Sequence, residues 1–462
     1  MGNGVYFTRA TNGSASDNDS VVRRKFTWSA WCKLGANWDA TYYGGFFAAA
    51  VDGSNHTSLK RDGDEYLNFQ VNQGSGQYTL VSDYKIRDYS AWYHIMIVYD
   101  STLATQADRA IMYINGVRST TSSAWNGTQN LSADFGNTSA TSRIGMYNNN
   151  TGNAYGYTGY MSEVNLTIGY ALSPTAFGET DSTTGEWKPR SSPNGVTYSP
   201  NGYYLKFTNA GALGTDSSGN GNTYAITNNG GTIFQTVDTP QNSFCVMNPL
   251  DNYFAGASYE EGNLYISSPG SAYAWSTSTF GLSSGRGKWY VEAKVDDVGS
   301  GSDNFLWGIS SLPSVSSSAM LGSNNKCIAY RNNGNYKTND ANSTYGGSFS
   351  NGQIVMMALD LDNNNIYFGS QGYWGDGSGN TDEANPTSAI SLTNVMGGFN
   401  PRCFFAFGDG SGSSGAKVKY NFGNPQFTIS SGNSDANGYG NFEYAPPSGY
   451  FSVCTKNINQ YG

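Results

Sequence analysis

The chain has 462 residues, enough for two domains with cores of their own, yet only 13% of them are charged, about half the usual share. Its 59 glycines and 34 tyrosines, with aromatics at 15%, leave Asn, Ser, Thr and Gly to solubilise the surface; this suits β-proteins that meet carbohydrate or protein surfaces and excludes a disordered chain, because the rings supply ample apolar area. A formal net charge of -9 with no cluster of Lys and Arg excludes a nucleic-acid partner.

In chain order, MGNGVYFTRA lacks the basic start, apolar core and cleavage site of a secretory signal, and Tyr6 stands where a myristoylation motif needs Ser or Thr. No apolar run approaches the roughly 18 residues of a membrane span, so membrane insertion is not expected. FTWSAWCK (Phe26 to Lys33) alternates: Phe26, Trp28, Ala30 and Cys32 face one way, Thr27, Ser29, Trp31 and Lys33 the other. AWYHIMIVYD (Ala91 to Asp100) and RAIMYINGV (Arg109 to Val117) continue the pattern. Asn115-Gly116 reads as a type I′ hairpin turn, since both central residues need positive φ. These three stretches resemble the laminin-G-like, concanavalin A-type lectin sandwich, which implies loops for binding rather than residues for turnover.

Strand-like runs continue to Tyr170 without a sustained helical period. Residues 173–245, with GEWKPRSSPNG, the strand GYYLKF (Gly202 to Phe207) and the Asx-rich loop DSSGNGN (Asp216 to Asn222), read as an ordered connector whose strand can complete a sheet. From residue 246 a second series begins: GRGKWYVEAKV, FLWGIS, IAYRNNGNYK, GQIVMMALDLDNNNIYFG and PRCFFAFGDG. Val355, Met357, Leu359 and Leu361 alternate with Ile354, Met356, Ala358 and Asp360, and Asn363 to Asn365 supply a turn. The series resembles the SPRY, or B30.2-like, sandwich. The expected fold is all-β: two antiparallel sandwiches, a concanavalin A-like jelly roll over 1–172 and a SPRY-like one over 246–462, joined by the connector.

The order of these parts resembles a group of marine bacteriophage and cyanophage virion proteins. That resemblance implies a non-enzymatic structural protein of the particle surface, a tail-fibre, receptor-binding or head-decoration component. It implies synthesis in the host cytoplasm, with other virion proteins, further copies of the chain and host surface polysaccharide as partners. Cys32, Cys245, Cys327, Cys403 and Cys454, odd in number and without CxxC spacing, read as free thiols of a reducing compartment. The sandwich beginning close to Met1 favours docking through a domain face.

For chemistry, the E-x-D-x-x-E signature of concanavalin-type glucanases is absent, so the alternative of a carbohydrate-active enzyme lacks its carboxylate pair; a bacterial surface adhesin is the other alternative. His94 and His56 accompany no nucleophile motif, and His94 reads as an imidazole packed in or above a sheet. Calcium is the one cofactor for which the loops hold ligands: Asp216 and Asn220 in DSSGNGN, or Asp62 and Asp64 in KRDGDEY, offer oxygens, although Asx turns account for both loops equally well. Glycan or partner contact is expected at rings in Gly/Asn-rich loops, namely Trp125, Tyr155, Tyr157, Tyr373 and Trp374, with core capping as the competing role.

Overall fold

The computed structural model describes residues 5–10, 17–36, 44–147, 156–228, 231, 233–270, 273–300, 305–397, 402–410 and 415–462. The chain divides into two compact units, Met1–Gln235 and Thr236–Gly462, each built on antiparallel sheets as its alternating sequence requires. The α-helix among the described residues is the short Thr455–Tyr461.

Ten strands of the first unit precede its central loop: β1 (Val5–Ala10), β2 (Lys25–Leu34), β3 (Gly44–Ala50), β4 (His56–Arg61), β5 (Tyr66–Gln73), β6 (Gly76–Lys85), β7 (Trp92–Asp100), β8 (Ala110–Ile114), β9 (Val117–Arg118) and β10 (Thr121–Ser123). Six follow: β11 (Thr141–Ile144), β12 (Gly159–Ile168), β13 (Gly178–Thr180), β14 (Trp187–Pro189), β15 (Tyr203–Leu205) and β16 (Ala225–Asn228). One sheet runs β10-β6-β5-β4-β3-β11-β1-β16 and the other β15-β12-β2-β7-β8-β9. Their inner faces interlock through aromatic pairs, Trp28 on Phe47 at 4.7 Å and Phe26 on Phe69 at 6.0 Å between ring centroids, the expected way for two pleated faces to exclude water.

The alternation in β2 places Phe26, Trp28, Ala30 and Cys32 in this core. The opposite face is buried as well, which a two-layer sandwich does not require. The cover comes from the segment after residue 172. The β13–β14 hairpin sets Trp187 against Trp31, Trp92 and Tyr160, and Leu172, Ala176, Phe177 and Val196 pack on Met96, Val98 and Tyr113. Strand β15 then pairs with β12, and β16 pairs with β1. Tyr203, Leu205, Leu213 and Tyr224 belong to the same core as Trp28, so the segment read as a connector is a structural layer of the first unit up to Gln235.

The second unit holds a nine-stranded sheet, centred on Lys288–Asp297, Ile354–Asp360 and Asn365–Ser370, and a seven-stranded one, centred on Arg402–Gly408, Leu306–Ser310 and Cys327–Arg331. They meet through Tyr330 stacked on Phe368 at 4.9 Å and Trp307 against Tyr420 at 6.3 Å. The turn expected near Asn363 to Asn365 joins Ile354–Asp360 to Asn365–Ser370, with Asn364 at φ 52°. Asn115 and Gly116 take φ of 49° and 77° between Ile114 and Val117, the two left-handed residues of the predicted hairpin. All five cysteines are free and buried.

Candidate functional site

Burial removes most of the rings that the sequence singles out. Trp125 is 3% exposed and stacks on Phe69, 5.6 Å between centroids, inside the core of the first unit. Gly127 explains how: a Cβ there would lie 2.3 Å from the indole, so the glycine admits the ring rather than displaying it. Tyr157 is fully buried, its hydroxyl donating to the carbonyls of Lys33 at 2.8 Å and Tyr160 at 3.1 Å. Trp374 packs with Tyr290, Met356 and Phe442 on the outward face of the nine-stranded sheet, which the C-terminal segment covers. These three are core residues, contrary to the expectation of contact. Tyr373, at the hairpin tip between Asn365–Ser370 and Tyr373–Gly375, is 54% exposed and available to a partner. Tyr155 lies outside the described residues.

The cation loops are also spent on their own backbone. Asp216 accepts from the amides of Tyr204 and Ser218 through Oδ1, and from Ser218 Oγ and the Asn222 amide through Oδ2. Four donors occupy the lone pairs that a cation would need. Asn220 turns its amide nitrogen toward the carbonyls of Ser199 and Gly202. Asp62 Oδ1 accepts from the amides of Asp64 and Tyr66, closing the β4–β5 turn, and Asp64 points to solvent. No group of three or more His, Cys, Asp or Glu suited to a metal occurs among the described residues.

His94 is packed as expected, but with more partners than a sequence can show. Its ring lies between Trp31 (5.1 Å, 22°) and Trp187 (5.9 Å, 27°). Trp187 Nε1 donates to Nδ1 at 3.0 Å, and Nε2 meets Ser29 Oγ at 2.8 Å. An indole can only donate, so Nδ1 is unprotonated and Nε2 carries the hydrogen. Burial holds the pKa down to about 3, which makes this a structural, neutral imidazole.

One group of polar side chains with unmet bonding capacity lines the outward side of β4 and β5. Leu59, Leu67, Phe69 and Val71 point into the core, so period-two alternation turns His56, Ser58 and Lys60, with Asn68, Gln70 and Asn72, the other way. The register sets them directly opposite one another: His56 and Asn72, Ser58 and Gln70, Lys60 and Asn68. Ser58 is 0% exposed. Its Oγ, together with Asn68 Oδ1 and Asn72 Oδ1, is buried without a hydrogen bond among the described residues. Tyr147 spans the three pairs: its hydroxyl donates to Gln70 Oε1 at 2.9 Å, its ring takes the Lys60 ammonium at 4.6 Å, and His56 meets it edge-on at 5.8 Å. Burial draws the Lys60 pKa down to about 8 and lowers that of His56. Sequence reading passed over HTSLKR and YLNFQVNQ because alternating polar residues look solvated; only the pairing of the two strands brings them together.

A laminin G-type family model, described as the concanavalin A-like lectin/glucanases superfamily, matches residues 8–176. The match falls within the first unit, which is thus similar to laminin G, concanavalin A-like domains. No curated protein matches the chain. Among solved structures, the SPRY domain of human HERC1 is 19% identical, covering 36% of this chain and 91% of its own at a TM-score of 0.29. Domains LG4-5 of the mouse laminin alpha1 chain are 11% identical over 91% of this chain and 87% of theirs, TM-score 0.27. Domain 4 of AbnA, a GH43 extracellular arabinanase from Geobacillus stearothermophilus, seen with arabinotriose, is 20% identical over 33% of this chain and 64% of its own, TM-score 0.25.

Proposed function

We propose that the chain is a non-enzymatic binding and adhesion protein whose first unit takes a hydroxyl-rich ligand, host surface glycan, on the outward face of β4 and β5. The observation that carries this reading is that half-buried Asn68 and Asn72, on one face of β5, each keep an Oδ1 without a hydrogen bond among the described residues. A buried polar atom left unbonded costs on the order of 1–3 kcal/mol, and sugar hydroxyls, which donate and accept, are suited to relieve it. Tyr147 holds Gln70 and the Lys60 ammonium in place beside them. The side chains of these cross-strand pairs include no carboxylate, so the pairs do not supply the two acids of a glycosidase. That supports binding over hydrolysis.

In this reading the protein serves on the surface of a phage particle, as a tail-fibre or head-decoration component, with exposed Tyr373 in the second unit as a contact for another virion protein. The resemblance in domain order and the low-charge, ring-rich composition support it. The test is a glycan array read with wild type, Asn68→Ala and Asn72→Ala, beside reducing-sugar release from host polysaccharide. Each variant is expected to bind about 5- to 10-fold more weakly, the value of one hydrogen bond, with no sugar released. Unchanged binding by both variants overturns the site, and sugar release overturns the non-enzymatic reading. Imaging intact particles decides between fibre and decoration.

A further inference from the structure

We propose that the edge of the six-stranded sheet formed by β12 and β15 is a second saccharide-binding site, built from Glu163, Asn165, Tyr198, Tyr204 and Lys206. It is separate from the β4–β5 face and does not depend on it.

The site begins with an irregularity. The pairing of β12 with β2 shifts register between Ser162 and Asn165, and Glu163 takes φ 52°. Glutamate seldom adopts that left-handed conformation, and bulges of this kind re-aim a side chain. Here the bulge brings the Glu163 carboxyl to the hydroxyl of Tyr204, which donates to its Oε2. Asn165 stands directly opposite Tyr204 in the β12–β15 register, so both face outward. The Asn165 amide nitrogen donates to the Glu163 carbonyl at 2.8 Å, and the Tyr198 hydroxyl donates to Asn165 Oδ1. The rings of Tyr198 and Tyr204 lie nearly parallel, 6.2 Å and 6° apart, and the Lys206 ammonium stands 5.0 Å from the centre of the Tyr204 ring. From behind, Asp216 Oδ1 holds the Tyr204 amide at 2.9 Å.

This network consumes most of the local donors and acceptors but leaves two charged groups short of hydrogen bonds. Glu163 Oε1 accepts nothing, and Lys206 Nζ donates to nothing, among the described residues. Glu163, Tyr198 and Lys206 are each partly exposed. The site thus presents one acceptor, one donor and a phenol ring held in place, with no net charge. Ions are poorly served by such a set. A sugar ring is well served: a hydroxyl donates to the carboxylate, a hydroxyl or ring oxygen accepts from the ammonium, and the C–H face lies on Tyr198. The strained backbone at Glu163 agrees with a position kept for a ligand rather than for the fold.

The test is an array of neutral hexose, deoxyhexose and N-acetylhexosamine oligosaccharides, read with wild type, Tyr198→Ala, Lys206→Met, Glu163→Gln and the β4–β5 variants Asn68→Ala and Asn72→Ala, with thermal melts as fold controls. Tyr198→Ala and Lys206→Met are expected to fold like wild type and to lose at least 5-fold in binding to a subset of saccharides that Asn68→Ala and Asn72→Ala still bind. Glu163→Gln, which keeps a hydrogen-bonding group in place, is expected to lose less. If Tyr198→Ala and Lys206→Met bind every saccharide as wild type does, the second site is overturned while the first can stand. If they lose binding and the β4–β5 variants do not, the first falls and the second stands. A wild-type chain that binds no saccharide overturns both.

Discussion

His94 is protonated with difficulty because the ring is fully buried and each ring nitrogen is already committed. Its pKa of about 3 lies below the roughly 6.5 of an unfolded histidine. The unfolded chain therefore takes up a proton that the folded chain refuses. The histidine's contribution to stability is complete above pH 6.5 and is lost as the pH falls toward 3. The stability of wild type minus that of His94→Gln is expected to drop over that window by at most about 1.4 kcal/mol per pH unit, measured by urea unfolding at a series of pH values. The subtraction matters because buried Asp134, whose pKa burial raises to about 6, works with the opposite sign: its contribution is complete below its unfolded value and is lost as the pH rises through 6. A flat difference would show that the imidazole is hydrated in solution. At the same scale, five buried thiols should resist alkylation in the folded chain and all label once it is denatured, as intact mass would record.

Among elements, the β13–β14 hairpin depends on two glycines, its own Gly178, where a Cβ would meet the Trp187 indole at 2.4 Å, and one in a neighbouring turn. Gly116 lies in the β8–β9 turn with φ 77°, and a Cβ there would stand 2.8 Å from the Trp187 indole. Gly116→Ala both strains the turn and lifts Trp187 from His94. A loss of about 1–3 kcal/mol is expected in thermal or denaturant unfolding, with a change in tryptophan fluorescence; an unchanged emission spectrum would show that the indole does not rest on the turn. The same elements show what could be read in advance. The faces of β2 and the Asn115-Gly116 turn were legible because both depend on local geometry, a two-residue period and a φ preference. The fates of Trp125, Tyr157 and Trp374 were not, since Gly and Asn beside a ring mark an exposed loop in one context and room for a buried ring in another. Gly127 beneath Trp125 is the second case. The polar pairs of β4 and β5 were hidden for a different reason, because register between strands is a tertiary property.

For the whole molecule, the boundary at Gln235 rather than at residue 172 has a measurable outcome. Tyr203, Leu205, Leu213 and Tyr224 fill the first core from beyond residue 172, and burying a side chain of that size contributes about 1.5–3 kcal/mol. A domain has about 5–15 kcal/mol in total. The fragment 1–235 is therefore expected to unfold cooperatively with a β-type circular dichroism spectrum, while 1–172 aggregates or stays disordered. A folded, monomeric 1–172 would mean that these residues only decorate a finished sandwich.

The pairing of β1 with β16 also governs how the chain comes into being. The N-terminal strand lies between β11 and β16, so one of its edges stays open until Asn228 has been synthesised. The second unit has a similar closure, with Phe244 bridging Cys454. On a translating ribosome, both units must wait for their last strands or turns, holding unpaired strand edges that invite association between nascent chains. Yield should therefore respond to translation speed and chaperone supply more than to the stability of the finished fold, and ribosomes stalled just short of residue 228 should carry a first unit that is still open to protease.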